Sequence, residues 1–300
     1  MENYRKYLDP RTLAKLQGLE LRARSIVEGY VAGAHRSPYH GFSVEFAEHR
    51  EYVPGDDLRF VDWKAYGKTD RIYLKQYEEE TNLVCYLLLD LSESMAYQSA
   101  DAPLSKLDYA RSVAASLAYL VLQQQDGVGL TTFDADVRTL IKPSSHPTHL
   151  KQMLHAMEAA PTQSKTSLGP IFHDLAERFK KRGVVVVLSD LFDDPATLLA
   201  GLKHFRHRRH EVILFHVLDP AEMDFPFKNL TMFKGLEGLP EMLVDPQALR
   251  KAYLGEFDAF TKELRKGCHA QRVDYVPLRT DKPLDLALST YLAARLNRTH

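Results

Sequence analysis

Asp90, Ser92 and Ser94 stand at alternate positions directly after the apolar run Leu83–Leu89, which reads as a buried strand. A strand that ends in Asp-x-Ser-x-Ser brings one carboxylate and two hydroxyls to one point. Hard divalent cations prefer such oxygens, and Mg²⁺ keeps part of its shell for water or a partner. The same residues also suit a helix start, since Asp and Ser are good N-caps. A second apolar run, Val184–Ser189, likewise ends on a carboxylate, Asp190. If the two strands are parallel, both carboxylates lie on the rim formed by the strand C-termini, where open α/β sheets bind ligands. A third loop, Thr162 to Ser167, offers hydroxyls ahead of a helix, and it reads equally as a capping box without its acid.

The elements that must position these groups follow a βα rhythm from Asn82 onward. Strand-like segments are Leu83–Leu89, Val128–Phe133, Val137–Ile141, Val184–Ser189, Val212–Leu218 and Val273–Pro277. Helix-like segments are Ser105–Gln125, His149–Ala159, Leu168–Lys181, Pro195–His207, Pro246–Lys266 and Pro283–Leu296. Asp194-Pro195 and Asp245-Pro246 each place an acceptor before a proline at the first helical position. Apolar runs alternating with helices predict a mostly parallel central sheet with helices on both faces. Thr131 to Val137 is the exception: two strands meet across a short turn and give one antiparallel edge strand. Phe225 to Leu243, with Gly235, Gly238 and Pro240, reads as a short β-excursion.

The part before residue 81 has a different character. Leu13, Leu16, Leu19, Leu21, Ile26 and Val27 suit an amphipathic helix, and a polar, aromatic-rich stretch follows from Ser43 to Glu80. Arg71 to Tyr77 alternates and reads as an edge strand feeding the core, with Trp63 as a core anchor between the N-terminal segment and the sheet. The predicted division is residues 1–80, an N-terminal helix and β-extension, and residues 81–300, the α/β domain with its excursion near 225–243.

Composition narrows the classes. A net charge of −1 gives no global field toward nucleic acid or anionic lipid. The two cysteines, Cys85 and Cys268, form no metal or redox motif, and no apolar run reaches membrane-spanning length. A cytoplasmic protein without membrane insertion is the expectation. Among the 13 histidines, the cluster His204 to His210 lies where a helix should end, so a solvated helix terminus is favoured over a metal or nucleic-acid site.

Asp90, Ser92, Ser94, Thr166 and Asp190 together resemble the metal-ion-dependent adhesion site (MIDAS) of von Willebrand factor type A domains. That resemblance implies a Rossmann-like fold in which the serines and the threonine coordinate a cation directly or through water. The aspartates bind it or orient those waters. Mg²⁺ is the implied cofactor, with Mn²⁺ or Ca²⁺ as alternatives. Two departures are visible: Leu191 stands where the animal domains commonly have glycine, and no double glycine precedes Thr166. Phe46 to Asp57, Asp62-Trp63-Lys64-Ala65 and Lys75 to Glu80 further resemble the signature of a prokaryotic family, domain-of-unknown-function family 58. The soluble subgroup of that family is associated with MoxR-type AAA+ ATPases, which implies a chaperone-like or complex-assembly role. The expected function is a non-enzymatic protein-interaction module recruiting an acidic side chain of a partner. The alternative is a Mg²⁺-dependent hydrolase or nuclease using Asp90 and Asp190, although no phosphate-cradling loop, nucleophile elbow or general base is evident.

Overall fold

The structure, a computed structural model, describes residues 45–52, 61–69, 71–78, 84–159, 168–234 and 241–284. These fall into two compact units, one within Arg36–Leu83 and one from Val84 onward.

In the smaller unit, β1 (Glu45–Glu51) pairs antiparallel with β2 (Tyr73–Glu78), with a register shift between Phe46 and Glu48. The short helix α1 (Trp63–Thr69) lies between them in sequence. Asp62 caps it, accepting a hydrogen bond from the Ala65 amide at 3.1 Å. Two expectations are corrected here. The Arg71 to Tyr77 run does form a strand, but it belongs to this two-stranded ladder and not to the central sheet, whose edges are held by other strands. Trp63 is 64% exposed and meets Tyr66 edge-on, so it is no buried anchor; the neighbouring Val61 and Asp62 take the buried positions.

The larger unit is built on six strands: β3 (Val84–Asp90), β4 (Gly127–Phe133), β5 (Val137–Ser144), β6 (Val184–Ser189), β7 (Glu211–Leu218) and β10 (Asp274–Arg279). Their order across the sheet is β10-β7-β6-β3-β4-β5, and every neighbouring pair is parallel except β4 and β5. The chain moves outward from β3 through β4 to β5, then restarts at β6 on the other side of β3. The boundary between β3 and β6 is therefore the switch point of the topology, where adjacent connections diverge and leave a crevice.

Alternation along the strands sorts side chains to two cores. Leu87, Leu89, Val186, Leu188 and Phe215 face helices α2 (Lys106–Gln123) and α3 (His149–Ala159). Tyr86, Leu88, Val185, Val187 and Leu214 face α4 (Leu168–Arg178), α5 (Pro195–His207) and the end of α7 (Pro246–Ala270). Helix α7 runs past the expected Lys266 because Leu264 and Cys268 both find burial. The predicted proline-led starts hold: Asp194 accepts from the Thr197 amide and Asp245 from the Gln247 amide. Between β7 and α7 lie the single turn α6 (Pro220–Asp224) and the ladder of β8 (Thr231–Phe233) with β9 (Met242–Val244), which is the expected excursion. The helices expected over Leu13 to Val27 and beyond Leu284 lie outside the described residues.

Candidate functional site

Register fixes where the carboxylates emerge. Leu89 of β3 lies beside Leu188 of β6, so Asp90 leaves the sheet next to Ser189 and Asp190. The two acidic side chains thus share one rim, at the switch point.

Asp90 is buried and held from several sides. Its Oδ2 accepts from the Ser189 hydroxyl at 2.5 Å and its Oδ1 from the Ser92 amide at 2.8 Å. The Ser92 and Ser94 hydroxyls are 3.0 Å apart, and Ser94 donates in turn to Asp190. A continuous chain of hydroxyls therefore links the two carboxylates. Ser94 lies in the short 3₁₀ turn Glu93–Ala96 and is buried. Burial, together with the nearby negative charge of Asp190, pushes the Asp90 carboxyl up to about 7 despite the hydrogen bonds that favour its ionised form.

Asp190 has the opposite character. Burial opposes its ionisation too, but the Lys106 ammonium lies 2.8 Å from its Oδ2 and holds the carboxyl below its ordinary value. Lys106 is itself buried and also reaches Glu222 Oε1 at 2.5 Å. Burial disfavours its charge, yet the two carboxylates more than offset this and raise it above the usual lysine range. Glu222 is pushed up by burial and, through its second oxygen, accepts from the Asp219 amide at 2.9 Å, which closes the capping box of α6. Asp219 also accepts from the Ser99 amide at 2.9 Å, tying the loop after β3 to the end of β7.

Lys106, Ser189, Glu222 and Asp219 were not singled out in the sequence. For Lys106 a signal exists: a lysine directly after the N-cap Ser105 sits at the positive end of a helix macrodipole, where a cation is disfavoured. Such a local conflict points to carboxylates brought by the tertiary fold. Asp193 reaches the start of α4, where its Oδ2 accepts from the Leu168 amide at 2.7 Å. Thr166 lies outside the described residues.

The donor set suits a hard cation. Two oxygens at adjacent corners of an octahedron with Mg–O distances of about 2.1 Å are about 3.0 Å apart, and the two serine hydroxyls stand at 3.0 Å. Among the described residues no group of three or more His, Cys, Asp and Glu side chains is arranged to hold a metal, so a cation at this rim would have to rely on the hydroxyls as well. Asp190 is engaged with the Lys106 ammonium at 2.8 Å.

Leu191 adopts a left-handed backbone with φ 56°, while its side chain is fully buried. The glycine common at this place in type A domains would hold that backbone without strain; here a leucine accepts the strain and fills the core.

The strand order, the single antiparallel edge and the Asp-x-Ser-x-Ser turn at the switch point define a von Willebrand factor type A-like α/β domain. The chain belongs to the family described as "Protein of unknown function DUF58", which matches residues 48–262. It is 26% identical over 292 residues to Uncharacterized protein Rv1480 of Mycobacterium tuberculosis, covering 96% of this chain and 90% of the relative. Uncharacterized protein YeaD of Bacillus subtilis is 27% identical over 133 residues, covering 44% of this chain and 30% of that protein. Among solved structures, the conserved hypothetical protein BatB from Bacteroides thetaiotaomicron is similar with a TM-score of 0.48 and 16% identity, covering 71% of this chain and 99% of that one. The SpRpn10 VWA domain has a TM-score of 0.42 and 13% identity, covering 69% of this chain and 94% of that one. Among the described residues no helix is long and apolar enough to cross a membrane.

Proposed function

We propose that this chain is a protein-interaction module whose rim holds a divalent cation, Mg²⁺ first, and through it captures an acidic side chain of a partner. Asp90, Ser92 and Ser94 would hold the ion with Thr166, and Asp190 would orient the hydroxyls and water around it. A shell rich in neutral hydroxyls leaves most of the ion's charge uncompensated, so the ion adds attraction for a carboxylate from outside. The observation that carries this reading is the hydroxyl chain from Asp90 through Ser92 and Ser94 to Asp190 at the switch point. The partner class that fits the family resemblance is a MoxR-type AAA+ ATPase or its client, in a cytoplasmic chaperone or complex-assembly system.

The test is capture of a purified MoxR-type ATPase by the wild-type chain and by Asp90→Ala, each with Mg²⁺ and with EDTA. Capture that needs Mg²⁺ and is lost in the variant supports the reading. Capture indifferent to both chelator and substitution rejects recruitment through the ion.

A further inference from the structure

Beside Asp190, between β7, the loop after β6 and helix α7, opens a cavity of about 550 Å³. We propose that this cavity is a second subsite, separate from the cation site, that accepts the arginine side chain of a protein partner.

Helix α7 supplies the first argument. Tyr253, Glu256, Phe257 and Phe260 follow the i, i+3, i+4, i+7 spacing of a single helix face, and all four line the cavity. A stripe of three aromatic residues at this spacing would ordinarily be covered by a neighbouring layer. Here the three rings are only half-buried, and a carboxylate stands among them. The Tyr253 and Phe257 rings are nearly parallel, with centroids 6.2 Å apart, so they form one continuous wall. Phe192, 63% exposed, stands at the mouth, carried there by the left-handed turn at Leu191.

Charge supplies the second. Five of the eleven lining residues are carboxylates and none is Lys or Arg. The nearby ammonium of Lys106 is already shared between Asp190 and Glu222. Asp193 and Asp194 are engaged with the amides that open α4 and α5. Among the described residues, Glu256 has no such partner, and it is exposed at the aromatic wall. The one histidine of the lining, His216, is buried at the floor, where its Nδ1 meets the Tyr275 hydroxyl at 2.6 Å.

An aromatic wall with an unengaged carboxylate suits a cation that is weakly hydrated and planar. Guanidinium meets both conditions and stacks on rings, whereas an ammonium is compact and strongly hydrated. The volume exceeds what a point charge needs and accommodates the three-carbon stem of arginine. Because Asp190 borders both the cavity and the proposed cation site, one partner segment bearing an acid and an arginine could engage both. The arginine subsite nevertheless stands without the metal.

The test uses a fluorescein-labelled Gly-Arg-Gly peptide titrated into the chain in EDTA and followed by anisotropy. Peptides with citrulline or lysine in place of arginine are the comparisons, with Glu256→Gln and Phe257→Leu as variants. Saturable binding is expected, weakened roughly threefold by each variant and about tenfold by citrulline. Lysine is expected to bind several-fold more weakly than arginine. Absence of saturable binding, equal affinity for citrulline or lysine, or indifference to both variants overturns the proposal. EDTA removes any contribution of a bound cation and the peptide has no acidic side chain, so the result is independent of the metal-dependent reading.

Discussion

At the first position of helix α2, a lysine side chain gives up water, meets the positive end of a helix and finds compensation in Asp190 and Glu222, with the Tyr97 ring 5.9 Å away. Breaking a buried ion pair by removing one partner costs about 3–5 kcal/mol, because the remaining charges are left desolvated and uncompensated. Lys106→Met should therefore lower the unfolding free energy by about that amount at neutral pH. Mg²⁺ should recover part of the loss if the freed Asp190 turns toward the ion, and denaturant titration with and without Mg²⁺ reads both effects. Leu191 poses a second balance. Glycine there would relieve about 1 kcal/mol of backbone strain but lose a fully buried leucine worth about 2–5 kcal/mol. Leu191→Gly should thus be destabilised by about 2 kcal/mol in the same measurement, a stabilised variant being the contrary outcome. Asp90, Ser92, Ser94 and Asp190 were legible in the sequence because each follows an apolar strand that dictates where its oxygens emerge. Lys106, Glu222 and Ser189 were not. Their roles depend on which distant loops meet at the rim, and residue type alone is silent on that.

The strands and helices of the α/β unit were readable for a similar reason: buried on both faces, they appear as short apolar runs with strong helix starts between them. Errors gathered where sequence periodicity could not name a partner. The strand Tyr73–Glu78 alternates as expected, yet alternation does not say which strand lies alongside, and its partner is β1. The exposure of Trp63 was hidden because a large aromatic residue is usually, though not obligatorily, buried. Close approach of elements is set by small residues. A Cβ on Gly183, just ahead of β6, would lie 2.1 Å from the Val84 carbonyl oxygen at the start of β3. Backbone cannot swing aside as a flexible side chain does, so Gly183→Ala should cost about 3 kcal/mol by forcing the two strands apart. A thermal midpoint within a degree or two of wild type would contradict this packing. Gly201 meets the Phe172 Cβ and the Gly169 backbone at 3.0–3.2 Å by the same construction, so α4 and α5 owe their close contact to two glycines.

For the molecule as a whole, stability should carry a pH signature from His210. This residue ends the cationic cluster expected to be solvated, but it is 1% exposed and stands edge-on to Tyr86, Phe179 and Phe205, which corrects that expectation. Burial, acting against hydrogen bonds to backbone carbonyls, lowers its pKa below the ordinary value. The unfolded chain, with an ordinary histidine pKa of about 6.5, then binds a proton that the folded chain resists. Stability from this group is present above that value and declines as pH falls below it, toward the lowered folded value. His210→Phe should flatten the loss of thermal stability between about pH 7.5 and pH 5, and an unchanged slope would assign the effect to other groups. Cys85 at the centre of the sheet and Cys268 near the end of α7 are both buried, and burial raises each thiol to about 12. A maleimide dye should therefore ignore both while the native packing is closed. A single cysteine introduced at the mouth lined by Phe192 would become a selective attachment point for a fluorophore. The slow residual labelling of the two native thiols would, in the same sample, time how often the interior opens.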